Sequence, residues 1–301
     1  GDADALWNAS ATIAAVWQRE AVSAVPSLAG ETLSVEPEIW GRQLDEARFA
    51  AWLTEALAAG GQVEKGVLTL IPGKEAAFLL FVEPAQKAGL YADMRRAGSA
   101  DLLLYEGGAG DAAEAAQGLS GTLLSPGDSF SMREWMRESL FSHLTPDAPS
   151  RVATAVFRSL MPLSGISVEQ RAASPYATNY APPGQEAVLL EESDDLVLAN
   201  RTEQPVLLMA AAEGEAFRVV AFTAFQGAAG TLFSDVTQTT EPPLIQSMSR
   251  DLSPGEVRVI SPGRAGMQVS VFRVGDGGKV FLHEDVYPPQ NRILEVGMQP
   301  D

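Results

Sequence analysis

The spacing of apolar residues changes along the chain, and the changes divide it. Across 6–22, Ile13, Val16 and Trp17 fall at helical spacing, and across 45–57 Phe49, Trp52, Leu53 and Leu57 do the same. Asp45 and Glu46 open the second helix, where negative charge suits the N-terminal dipole, and Gly60-Gly61 stops it. Runs at 66–71, 77–82 and 101–105 read as strands, the first two joined at Pro72-Gly73 as a hairpin. The pattern predicts a small α+β domain over 1–110, ending in the glycine-rich hinge Gly107-Gly108-Ala109-Gly110.

Beyond the hinge, 112–119 reads as a short helix and 121–131 turns at Pro126-Gly127. A longer helix begins near Ser150, whose hydroxyl is placed to cap the first free N–H groups ahead of Val152, Val156, Phe157 and Leu160. Strand-like runs follow at 187–190, 195–198, 206–210 and 217–225, which predicts a sheet with one crossing helix. From 236 onward the pattern is almost purely β, with runs at 256–260, 268–274 and 279–286 separated by Ser261-Pro262-Gly263 and Gly275-Asp276-Gly277-Gly278. The predicted class is α+β: a small α+β domain (1–110), a mixed α/β domain (111–235) and an extended all-β domain (236–301).

Charge narrows the partners. Among 301 residues, 39 acids outweigh 21 bases for a net charge of −18, which argues against nucleic acid or an anionic membrane surface. The 236–301 region holds six bases and eight acids, so the part before it carries −16. The chain is 46% hydrophobic, which argues against disorder. With no cysteine, disulfides, thiolate metal sites and a cysteine nucleophile are excluded together. Only His143 and His283 remain as imidazole ligands, and no cofactor or metal is expected. Apolar runs reach seven residues, as at 76–82, against about 20 for a spanning helix, so no transmembrane segment is expected in this chain. The opening Gly1-Asp2-Ala3-Asp4 is no signal segment, and a signal or anchor removed ahead of it stays open.

Few residues announce chemistry. Glu191-Glu192-Ser193-Asp194-Asp195 packs four carboxylates into five positions, but without a ligand loop it reads first as a solvated turn. A carboxylate-pair glycosidase has 39 acids to draw on and nothing to choose between them. Trp17 and Trp52 sit on apolar stripes and read as core, whereas Trp40 and Trp135 read as more exposed and open to glycan stacking. The loop 174–180, with Tyr176 and Tyr180 and with Arg171 nearby, is the preferred polar binding surface.

Three motifs in order resemble the VanW-like family. Gly121-Thr122-Leu123-Leu124-Ser125-Pro126-Gly127-Asp128-Ser129-Phe130-Ser131 is similar to its G-T-x-L-x-P-G-x-x-F-S opening. Tyr180-Ala181-Pro182-Pro183-Gly184-Gln185-Glu186-Ala187 is similar to its Y-x-P-P-G-x-D-A segment, and the run from Asp195 to Thr202 with Pro205-Val206 to its D-L-x-F-x-N-x-T-x-x-P-V strands. The tail resembles the G5 domain, a β module often appended to VanW-like domains: Gly255, Gly263, Gly266, Gly278 and Gly297 take its glycine places, and 287–297 its closing strand. The run from Leu33 to Asp45 is similar to the peptidoglycan-binding module that commonly precedes VanW-like domains. The resemblance implies an extracytoplasmic bacterial cell-envelope protein with peptidoglycan, another glycan or an envelope protein as partner.

Departures from the family bear on activity. Its glycine-rich stretch ending in Cys-Gln reads here Asp147-Ala148-Pro149-Ser150-Arg151, with Ser150 at the cysteine and Arg151 at the glutamine. Its His-x-His-Ser stretch reads Arg171-Ala172-Ala173-Ser174-Pro175, with Ala172 and Ser174 in place of the histidines. A serine nucleophile needs an adjacent base, and only His143 lies near in sequence. The reading is therefore a non-enzymatic binding protein, with Ser150 a weak catalytic candidate and Ser150, Arg151, Arg171, Tyr176 and Tyr180 as ligand-binding candidates. The alternative is an enzyme acting on cell-wall peptide or glycan.

Overall fold

The computed structural model describes residues 17–58, 78–138, 148–224 and 229–298. The expected helix over 6–22 lies outside them up to residue 16, and over 18–22 the chain is not helical, with Arg19 and Val22 bridging Arg42 and Ile39. The 66–71 strand, the Pro72-Gly73 turn, Trp7 and His143 also lie outside them. Two compact units result: 1–27 with 34–93, and 28–33 with 94–301.

In the first unit, the hairpin β1 (Val25–Ala29) and β2 (Thr32–Glu36) precedes β3 (Gly41–Leu44), α1 (Glu46–Ala58) and β4 (Leu79–Val82). The hairpin tip, 28–33, groups with the second unit. Asp45 Oδ1 accepts the Arg48 N–H at 3.0 Å, so a carboxylate caps α1 as well as meeting its dipole. Trp17, Leu44, Phe49 and Phe78 form the small core, with Phe49 and Phe78 edge-to-face at 5.7 Å. Antiparallel β3 and β4 carry it, Gly41 opposite Val82.

The second unit begins with β5 (Arg95–Leu103), which pairs along its whole length with β11. The compact boundary thus falls at Asp93–Met94, and the Gly107–Gly110 run is a turn within the second unit, from which α2 (Ala109–Leu119) departs. Gly107 takes φ 86°, a conformation glycine adopts without strain, and its N–H reaches Glu215 Oε1 at 2.6 Å. Then come β6 (Thr122–Leu124), β7 (Ser129–Ser131), α3 (Met132–Glu138), α4 (Ala148–Leu160), β8 (Ile166–Arg171), β9 (Leu196–Asn200), β10 (Val206–Glu213) and β11 (Ala216–Thr223). One antiparallel sheet runs β5-β11-β10-β6 and another β7-β9-β8. Alternate residues Phe217, Val219 and Ala221 of β11 join the main core with Val152, Val156, Phe157 and Leu160 of α4. Val220 and Phe222, on the other face, are buried too. Covered on both faces, β11 reads as a nearly continuous apolar run.

The C-terminal region holds β12 (Thr231–Thr240), β13 (Leu244–Ser249), β14 (Val257–Ser261), β15 (Gly266–Gly275), β16 (Gly278–Tyr287) and β17 (Arg292–Gly297). These make two three-stranded sheets, β12-β15-β16 and β13-β17-β14, the second with a parallel β13–β17 pair. Its own core is small: Val269, Val271 and Tyr287. Largely β structure in the tail and mixed structure before it agree with the expected α+β class. No helix among the described residues is long and apolar enough to cross a membrane.

One expected strand is something else. The 187–190 run is extended and mostly buried, yet it belongs to no sheet. It lies along α4, where Thr154 Oγ1 accepts the Ala187 N–H at 3.0 Å and Ser150 Oγ accepts the Leu189 N–H at 3.0 Å. Residues four apart on a helix rise about 6 Å, and residues two apart in an extended chain about 6.7 Å. Two hydroxyls on one helix face can therefore meet alternate N–H groups of an antiparallel strap. The strap satisfies its backbone on side chains instead of a neighbouring strand.

Candidate functional site

A cleft of about 430 Å³ opens at the N-terminal end of α4. Ser150, Arg151, Ser174, Tyr176, Tyr180 and Arg264 line it, together with Val188 and Leu190 of the strap. Four of the five binding residues expected from sequence, Ser150, Arg151, Tyr176 and Tyr180, are brought together here, and Arg171 is not among them.

Ser150 stands in the first turn of α4, which begins at Ala148, and is 5% exposed. The expectation that it caps the helix does not hold: its hydroxyl holds the strap at Leu189, and its carbonyl accepts the Thr154 hydroxyl at 2.7 Å. No imidazole or carboxylate among the described residues hydrogen-bonds to the Ser150 hydroxyl. His283 lies elsewhere, at 2.8 Å from the Gly184 carbonyl and edge-on to Phe157. Ser174 is also buried, its N–H 3.4 Å from Glu186 Oε1, and the Ala172 carbonyl accepts the Val188 N–H at 3.0 Å.

The two arginines of the cleft each stack on a tyrosine. Arg151 Cζ lies 4.5 Å from the Tyr180 ring centroid, and Arg264 Cζ lies 5.5 Å from that of Tyr176. Arg151 Nη1 donates to the Leu103 carbonyl at 2.8 Å, while its Nε is buried and has no partner among the described residues, as is the case for Thr178 Oγ1. No carboxylate stands among the described lining residues. In a chain of net charge −18, two guanidiniums with no carboxylate among the described lining residues are a local reversal of sign. Arg264 carried no signal in the sequence. It follows β14, and its backbone bridges Gln290 in both directions, at 3.1 and 2.9 Å.

Arg171 serves the frame. It forms a buried ion pair with Asp285, both side chains 7% exposed, and donates from Nε to the Glu186 carbonyl at 2.7 Å and from Nη2 to the Gly184 carbonyl at 3.1 Å. Its guanidinium lies 5.3 Å from the Phe157 ring. Its contacts reach β16, α4 and the residues just ahead of the strap, so this guanidinium is engaged in packing. Beside it, Tyr287 donates to Glu186 Oε1 at 2.6 Å and accepts the Gly184 N–H at 2.6 Å. Burial, then the Glu186 carboxylate, push the Tyr287 hydroxyl far above its ordinary range. Burial first, then the Arg171 charge, hold His283 below its ordinary range, against the Gly184 carbonyl and Asp285.

Other candidates resolve into local structure. Asp195 accepts the Ser131 hydroxyl at 2.6 Å and the Arg133 N–H at 3.0 Å, anchoring the start of α3, and Asp194 Oδ2 accepts the Leu190 and Glu191 N–H groups at 3.0 and 2.8 Å. Trp40 is exposed, with Lys87 Nζ 5.7 Å from its ring, as the sequence led us to expect. Trp135 is the opposite of its expectation: it is buried, and its indole N–H donates to the Gly118 carbonyl at 3.2 Å. The charged neighbours in sequence lie on the other side of a helix whose apolar side packs inward.

Comparison with known proteins gives a narrow result. No protein-family model matches the chain, and no curated protein does. Among solved structures, the chain is similar to the G5 domain of an IgA1 protease, at 20% identity and a TM-score of 0.18, over 25% of this chain and 96% of that one. It is also similar to the G5 domain of HP0197, at 27% identity and a TM-score of 0.15, over 22% of this chain and 96% of that one. Both neighbours are G5 domains.

Proposed function

We propose that this chain is a non-enzymatic, extracytoplasmic cell-envelope protein. In this reading a degenerate VanW-like domain and a G5-like tail hold a carboxylate-bearing cell-wall peptide or glycan. The observation that carries the reading is the cleft at α4, where Arg151 and Arg264 stack on Tyr180 and Tyr176 with no acid among the described lining residues. Guanidinium and aromatic faces together suit a ligand with a carboxylate and an apolar or sugar face.

The binding reading is favoured over the enzyme because a nucleophile needs activation and a base within hydrogen-bond reach. Ser150 has neither among the described residues, and its hydroxyl is committed to the strap. Envelope location and the VanW-like assignment rest on the sequence motifs.

The test is to incubate the protein with purified sacculi and measure both co-sedimentation and soluble fragments. Co-sedimentation without release above a heat-inactivated control is expected. Release of muropeptides would favour the enzyme, and absence of both would move the partner to an envelope protein.

A further inference from the structure

A second cleft, of about 420 Å³, lies near the C-terminal end of the same helix and shares no residue with the first. Arg96 and Ser99 of β5, Arg158 of α4, Gln185 at the head of the strap and Thr231 of β12 line it. As in the first cleft, no carboxylate stands among the described lining residues.

Arg158 is the unusual group. It is half-buried, and among the described residues its guanidinium has neither a hydrogen bond nor an ion pair. Burial lowers its pKa, with Asp101 opposing. Asp101 is itself engaged by Arg218, whose Nε and Nη2 both reach it. A guanidinium taken partly out of water without an acceptor costs free energy, and burial does not by itself explain keeping the charge.

The backbone puts it there. Gly98 packs so closely on α4 that a Cβ would lie 2.0 Å from the Ser159 carbonyl oxygen, which draws this end of the helix onto β5. Gln185, 5% exposed, donates to Ser234 Oγ at 3.0 Å and is thereby fixed at the cleft wall. Arg96 pairs with Glu31, but both side chains are close to half exposed, and such a pair exchanges readily.

We propose that this cleft is a binding site for a small oxyanion-bearing molecule, with Arg158 as its principal donor, Arg96 as a second cation and Gln185 and Thr231 as polar neighbours. The shared chemistry is a carboxylate or phosphate group taking charge-assisted bonds from guanidinium. This site goes beyond the cleft of the proposed function and stands whether or not that cleft binds cell wall.

The test uses the whole chain and two probes, inorganic phosphate and succinate, titrated at constant ionic strength while melting temperature is read. A saturable rise is expected with at least one probe, and which one responds separates phosphate from carboxylate ligands. Arg158→Gln weakens the response by about tenfold or more, the loss of a charge-assisted bond. It also melts no lower than the native protein without probe, since it removes a desolvated charge. Arg151→Gln, in the other cleft, removes only what the first cleft adds and leaves in place the part of the rise that Arg158→Gln takes away. If Arg158→Gln does not fold, Arg158→Lys makes the same comparison, with a weakened response expected. No saturable rise with either probe, or a rise that the Arg158 variant keeps in full, would overturn the proposal. So would a rise lost only in Arg151→Gln, which would assign it to the first cleft.

Discussion

Replacing Thr154 by valine separates the structural role of the α4 hydroxyls from any chemical one. Valine keeps the shape at a site with no exposure, so little packing is lost. What disappears is the acceptor for the Ala187 N–H at 3.0 Å and the donor to the Ser150 carbonyl at 2.7 Å. Ala187 is itself fully buried, so water cannot replace the lost partner. An unsatisfied buried N–H costs about 1–3 kcal/mol. For a folding unit of this size each kcal/mol moves the melting temperature by about 2–4 °C, so a fall of about 2–12 °C is expected. Ser150→Ala orphans the Leu189 N–H in the same way and falls in the same range. The assay is thermal unfolding by circular dichroism, with hydrogen exchange at Ala187 and Leu189 as the local readout. Melting within about 1 °C of the native protein, with both amides still protected, would refute the claim that hydroxyls hold the strap.

Three further outcomes follow from the same geometry. Asp285→Ala leaves Arg171 as a buried unpaired cation and costs about 3–5 kcal/mol by chemical denaturation, whereas Arg171→Met with Asp285→Leu recovers most of it; equal losses in both would contradict the pairing. The folded-state pKa of His283 lies below its unfolded value, so its stabilisation is whole above about pH 6.5 and is lost as pH falls through the folded value. Melting temperature should therefore drop on acidification, and His283→Gln should flatten that part of the profile; an unchanged slope would speak against it. Gly184→Ala faces both φ 81° and a Cβ 2.4 Å from Val271 Cγ2, and it should destabilise the native state by more than about 1 kcal/mol; a neutral effect in denaturant titration would count against the close packing of Gly184 on β15.

The parts legible in the sequence are those governed by local periodicity. α1 and α4 follow from Phe49 and Trp52, and from Val152, Val156, Phe157 and Leu160, because one helix face must be apolar to pack. The tight β15–β16 turn follows from Gly275 to Gly278. β12 and β13 gave no such signal, since their side chains are largely exposed and neither needs an alternating pattern. The 187–190 run reads as a strand because a short apolar run does not say what satisfies its backbone, and here Ser150 and Thr154 do. The loop holding Tyr176 and Tyr180 was visible as a polar surface. Arg171 beside it is paired with Asp285, 114 residues away, and Arg264 enters the cleft by the same long-range packing. Long-range electrostatic partners leave no local period to read.

The central claim is that Arg151 and Arg264 hold a carboxylate-bearing wall ligand without turning it over. The most direct measurement is a binding isotherm on purified sacculi for the native protein and for the Arg151→Gln, Arg264→Gln pair, with soluble fragments assayed in the same tubes. The account predicts affinity at least about tenfold weaker in the double variant, with a cooperative melting transition retained and no fragments from either protein. Equal affinity in the two proteins, or fragments released by the native one, would contradict it.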